Sequence, residues 1–148
     1  MLHNLLIEYI HEGNTEYVKS LFKNYSLDVN GVDYTGETVL RIALGYENHE
    51  IIKLVLGHPD LNVNSKCVFM GWTALLYASH KRFSSAVYLL LKHPDIDVNI
   101  TDPDGMTALD YAVQFGYNEI VEFLLRHDCT NVNIEKYTIE SLYGLNTH

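Results

Sequence analysis

Three histidines stand in phase, His58, His93 and His127, at steps of 35 and 34 residues. Imidazole is the commonest metal-binding side chain, so a recurring histidine invites a metal site. Distance argues against it: ligand bonds to zinc are about 2 Å long, whereas successive helical units lie about 10 Å apart when helices pack at ordinary spacing. Cys67 is a second candidate, because the neighbouring Lys66 would favour a thiolate. The simpler reading is a plain thiol, exposed or half-buried. With Cys129 it makes only two cysteines, too few for a disulfide framework or a zinc cage, which points to a reducing compartment. The sequence contains no G-x-S-x-G, no glycine-rich phosphate loop and no H-E-x-x-H. The chain is therefore not expected to be an enzyme, and neither a cofactor nor a metal is expected.

The elements that must carry these residues are bounded by composition. A chain of 148 residues, 47% hydrophobic and with only 3 prolines, has apolar material for one sizeable core. Its net charge of -9 is uneven, since residues 100–148 hold eight acids against Arg126 and Lys136 alone. Nucleic acid is excluded as an expected partner, because phosphate binding needs clustered Lys and Arg. The opening MLHNLLIEYI carries Glu8 and lacks a basic leader, so no signal peptide is expected. No apolar run approaches the roughly 20 residues that span a bilayer. A cytoplasmic monomer is expected, with the nucleus as an alternative address.

GHPDLNVN at 57–64 and KHPDIDVN at 92–99 reveal why the histidines recur. Val29-Asn30, Val63-Asn64, Val98-Asn99 and Val132-Asn133 fall in register, and Thr38, Thr73 and Thr107 follow at the same period. Leu40, Leu75 and Leu109 form another column, as do Ala43, Ala78 and Ala112. GETVLRIAL, GWTALLYAS and GMTALDYAV each place a Thr where its hydroxyl can cap a helix. HEIIKLVL, SSAVYLLL and NEIVEFLL then repeat apolar residues at helical spacing. Pro59 and Pro94 push the residue before them out of helical geometry, so HPD is punctuation between units. Helix pairs this short cannot bury their apolar faces alone and must stack.

Gly105, Thr107, Ala108, Leu109, Tyr111, Ala112, Gly116, Glu119, Ile120, Val121, Leu124, Leu125, Val132 and Asn133 resemble the G-x-T-x-L-x-x-A, G-x-x-E-I-V-x-x-L-L and V-N elements of an ankyrin repeat. The resemblance covers about residues 2–133 and implies an all-α ankyrin-repeat solenoid of helix-turn-helix units joined by β-hairpin loops. Its repeats are placed at about 1–30, 31–64, 65–99 and 100–133 of a single domain, with a short C-terminal capping helix in 134–148. That helix would be capped by Thr138, stopped by Gly144, and would cover Ile120 and Phe123 with Ile139, Leu142 and Tyr143. Departures from the family pattern are local. Val39, Ala74 and Ala108 replace its Pro, Arg41, Leu76 and Asp110 replace its His, and Glu47 and Arg82 replace the glycine between helices. One extra residue lies in SKCVFMGW, which predicts a longer third hairpin.

The resemblance implies a protein-protein interaction module, an adaptor or scaffold that binds another protein on its concave face. The alternative is a stoichiometric inhibitor or regulatory subunit of an enzyme, including a pathogen effector acting on host proteins. Carried over position by position, the binding residues are Tyr34, Glu37 and Tyr46; Phe69, Trp72, His80 and Lys81; and Asp104, Met106 and Phe115. Leu91, Asp97, Val98 and Asn99 are also similar to the sites that asparaginyl hydroxylases modify in ankyrin domains, which implies Asn99 as a hydroxylation site.

Overall fold

The computed structural model describes residues 1–127 and residue 137, and eight helices are found among them. They pair as α1 (Leu2–His11) with α2 (Thr15–Asn24), α3 (Val39–Gly45) with α4 (His49–Leu56), α5 (Ala74–His80) with α6 (Ser84–Leu91), and α7 (Ala108–Gln114) with α8 (Asn118–His127). Helices α1, α3, α5 and α7 pack successively into an inner layer, and α2, α4, α6 and α8 into an outer one. The predicted capping helix, with Thr138, Ile139, Leu142, Tyr143 and Gly144, lies outside the described residues.

The local chemistry starts α3, α5 and α7 as predicted. Thr38, Thr73 and Thr107 accept hydrogen bonds from the N–H groups of Arg41, Leu76 and Asp110, each at 3.2 Å. Asp110 returns the bond to Thr107 N–H at 2.7 Å, completing a capping box where the family has histidine. Asn14 and Asn48 cap α2 and α4. The repeated Leu and Ala columns are buried, as are Val18, Ile52, Val87 and Val121 of the outer layer. Between paired helices the chain passes through the left-handed region at every unit. Gly13 and Gly116 adopt it freely, but Glu47 (φ 52°) and Arg82 (φ 60°) must hold it with a Cβ.

The repeated HPD and V-N phrases act as clamps. His58 Nδ1 accepts the N–H of Asp60, and His93 Nδ1 that of Asp95, both at 3.2 Å. The amide of Asn30 donates to Asp60 O at 2.7 Å, while its Oδ1 accepts Asn62 N–H at 2.7 Å. Asn64 repeats this one unit on, donating to Asp95 O at 2.8 Å and accepting Asp97 N–H at 3.0 Å. Each asparagine thus fastens its own loop to the next.

The hairpin loops between units are short. The loops before the inner helices turn back as hairpins, but among the described residues they form no strand, only the isolated bridge between Val32 and Thr38. Too few residues flank each turn to build a ladder. On the side of the preceding unit, the Phe123 ring meets Tyr88 at 5.7 Å. The last unit is also overlaid, since Tyr137 packs against the core and donates to Asp110 Oδ1 at 2.6 Å.

Candidate functional site

Hairpins precede α3, α5 and α7 in the second, third and fourth units, and each takes the number of its unit. Asp33 Oδ1 accepts the N–H groups of Thr35 and Glu37 at 2.8 and 3.0 Å, and Asp102 Oδ1 accepts those of Asp104 and Met106 at 2.9 Å. The Tyr111 hydroxyl donates to the other Asp102 oxygen. Burial alone would raise the Asp102 carboxyl, but the hydrogen bonds from Tyr111, Met106 and Asp104 outweigh it and hold the group below its ordinary range. The same phenol is pushed up to about 12, by burial first and then by its bond to Asp102.

Cys67 occupies the corresponding place in the third hairpin. Its N–H bonds Trp72 O at 2.9 Å, where Asp33 bonds Glu37 and Asp102 bonds Met106, so this turn contains one more residue. Cys67 is only 4% exposed, which corrects the expectation of an exposed or half-buried thiol. It turns inward where the aspartates of the other hairpins do, and the Lys66 ammonium is directed instead at Thr101 O, 2.8 Å away. The added length carries Val68, Phe69 and Met70 outward. Val68 N–H bonds Gly36 O at 2.8 Å, and a Cβ at Gly36 would lie 2.7 Å from Val68 Cβ, so only glycine admits this contact between hairpins.

The structure gathers Trp72, His80 and Phe115 around Tyr111. The His80 ring lies 4.9 Å from Trp72, 5.2 Å from Tyr111 and 5.4 Å from Phe115, with Trp72 and Tyr111 5.5 Å apart. Phe115 in turn stacks on Tyr117 at 5.6 Å. Burial, and then Lys81, lower the His80 pKa, and its Nδ1 is buried without a hydrogen-bond partner. Trp72 is half-buried and is both a brace of this cluster and part of its surface.

The other expected residues are arranged differently. Glu37 is drawn onto Arg41, with contacts of 2.5 and 2.7 Å, and the guanidinium lies 4.3 Å from the Tyr77 ring. Tyr46 instead meets the tilted His11 ring of the first unit, at 5.1 Å. Tyr34 (94% exposed) and Phe69 (78% exposed) stand on hairpin tips, where Asp104 is also exposed; Met106 is half-buried. Lys81 is exposed at the end of α5. Asn99 is exposed, with its N–H on Asp97 Oδ1 at 2.9 Å. Tyr77, Tyr111, Tyr117 and Arg41 are surface contributors that the sequence reading missed. Tyr77 and Tyr111 stand four residues after their capping threonines, and a polar-tipped aromatic in an otherwise core column was the available signal.

A cavity of about 310 Å³ opens between α3, α5 and the third hairpin, lined by Glu37, Arg41, Cys67, Met70, Trp72, Tyr77, His80 and Lys81. Among the described residues no group of three or more His, Cys, Asp or Glu is placed to hold a metal ion, and no helix is long and apolar enough to cross a membrane.

Stacked helix pairs, fastened hairpins and an aromatic inner surface define a repeat solenoid. The family profile described as ankyrin repeats (3 copies) matches residues 57–136, and that described as ankyrin repeats (many copies) matches residues 2–56. The chain belongs to the ankyrin-repeat family. It is 36% identical over 70 residues to a transient-receptor-potential-like protein of Caenorhabditis elegans, a match covering 47% of this chain and 6% of that protein. It is 31% identical over 88 residues to alpha-latrotoxin-Lg1a of Latrodectus geometricus, covering 60% of this chain and 6% of the toxin. The chain therefore spans about 6% of the length of each of these relatives. Ankyrin repeats are generally protein-protein interaction modules.

Proposed function

We propose that this chain is an adaptor or scaffold module that binds a partner protein on its inner, hairpin-bearing face. The observation that carries the reading is the line of exposed apolar side chains running from Tyr34, Phe69 and Met70 on the hairpins to the Trp72, His80 and Phe115 cluster. Folding leaves Tyr34, Phe69, Met70 and Phe115 exposed and Trp72 and His80 only half-buried, and aromatic side chains are enriched at the energetic centres of interfaces. No catalytic role is assigned to the site. A reducing, cytoplasmic setting suits the buried free thiol of Cys67.

Trp72 is a poor probe of binding, because it also braces the hairpin; Phe69 and Phe115 are better ones. The wild-type chain, Phe69→Asp with Phe115→Asp, and the outer-layer variant Tyr88→Asp are compared for helicity and then used to capture proteins from a cell extract. The reading expects partners retained by wild type and Tyr88→Asp and lost by the double variant. Partners lost only by Tyr88→Asp would place binding on the outer layer and overturn it. An activity assay of any captured enzyme separates a scaffold from a stoichiometric inhibitor.

A further inference from the structure

The cavity between α3, α5 and the third hairpin is more specific than the surface around it. Its lining includes Met70, Trp72 and Tyr77, together with the Glu37–Arg41 pair and Lys81. At about 310 Å³ it is at the small end of ligand clefts. An α-helix is about 10–12 Å across with its side chains and docks through several anchors along a groove, which a single cup does not offer. One large side chain fits.

The charges select what stands beside that side chain. Arg41 closes on Glu37 through two contacts and stacks on Tyr77, so the two charges cancel within the wall. Lys81 makes none of the ion pairs found among the described residues. In a chain with a net charge of -9, an exposed cation without an ion pair among the described residues thus lines this apolar cup. Met70, carried there by the lengthened hairpin and 53% exposed, supplies an adaptable thioether to close over an occupant.

We propose that this cup receives one large apolar side chain from an extended segment of a partner protein, and that Lys81 pairs with an aspartate or glutamate next to it in that segment. The proposal rests on the protein-binding reading above and adds the chemistry of the partner.

The probe is a display library of random twelve-residue peptides, selected on the full chain. Enriched peptides are expected to share a Leu, Met, Phe or Trp with an acid within two positions. Met70→Glu, a change at an exposed position, should abolish their binding. Lys81→Glu should weaken them about tenfold, by replacing an attraction with a repulsion, and should itself enrich peptides carrying Lys or Arg instead. Enrichment without an acid preference, or binding indifferent to Lys81→Glu, overturns the proposal. Peptides that survive Met70→Glu but are lost in Phe115→Asp overturn the cup and leave the inner-face reading standing. Peptides lost only in Tyr88→Asp overturn both, and a library that yields no binder overturns the cup as a receptor for an extended segment.

Discussion

His80 sits among Trp72, Tyr111 and Phe115 with a buried, unpartnered Nδ1, and its lowered pKa ties stability to pH. In the unfolded chain the imidazole takes up its proton at the ordinary value of 6.5. The folded chain resists that proton, so the unfolded state binds more of them below this value. The contribution of His80 is therefore complete above pH 6.5 and declines as pH falls through the lower, folded value. Urea titrations of wild type and His80→Gln between pH 7.5 and 5 should show a steeper loss for wild type. Equal slopes would mean that the ring protonates as freely folded as unfolded. A second residue-scale test concerns Glu47, whose left-handed backbone costs about 1–2 kcal/mol in a residue with a Cβ. Glycine removes that cost and adds about 0.5–1 kcal/mol of entropy. Glu47→Gly should therefore stabilise by about 0.5–1 kcal/mol in urea unfolding. Arg82→Gly should gain less, because the Arg82 guanidinium lies 5.5 Å from the Tyr117 ring.

The loops after α2 and α4 are each fastened to the next loop by one carboxamide, that of Asn30 or Asn64. Asn64 offers two hydrogen bonds to the following loop, through Asp95 O and Asp97 N–H, and an alanine variant loses both. Asn64→Ala should cost about 2 kcal/mol, at about 1 kcal/mol per bond, measured as a lower urea midpoint. Asn62→Ala, which loses only an acceptor for Asn64 N–H within its own loop, should cost about half as much. Helix starts, buried columns and the longer third hairpin were legible in the sequence, because each depends on residues close together or repeated at a fixed period. The braces were not. Tyr111 reaches Asp102 only after the hairpin has folded back, and Cys67 looked exposed because its position in a long loop says nothing of which way it points. Phe123 was legible as apolar, and the offset between stacked helices decides that its ring also meets Tyr88 of the unit before it. Of the expected binding residues, Trp72, His80 and Phe115 form one cluster, whereas Tyr46 is taken up by His11.

At the scale of the whole molecule, a linear stack is only as secure as its last unit. Tyr137 reaches back to Asp110 on α7, and the phenol is raised by burial and by that bond. A chain ending at residue 133 loses this contact. Its melting temperature should fall, and sedimentation should show self-association as apolar surface on α7 and α8 is uncovered. Tyr137→Phe keeps the ring and removes the hydroxyl, so it should cost about 1 kcal/mol and leave the chain monomeric. If the truncated chain melts as the full one does, the segment after α8 contributes nothing to the stack.

The lengthened third hairpin also shows where this architecture can change without being rebuilt. The bond from Cys67 N–H to Trp72 O closes the loop at its base, while Asn64 and Thr73 anchor the chain on either side. Residues beyond that base lie outside the span that sets the distance between α4 and α5. Lengthening a flexible loop costs only about 0.6 kcal/mol per doubling. Val68 is tied to the neighbouring hairpin through Gly36 O, whereas variation at 69–70 leaves the closure of the loop untouched, so on the protein-binding reading proposed above a change there alters recognition and leaves the folding problem as it was.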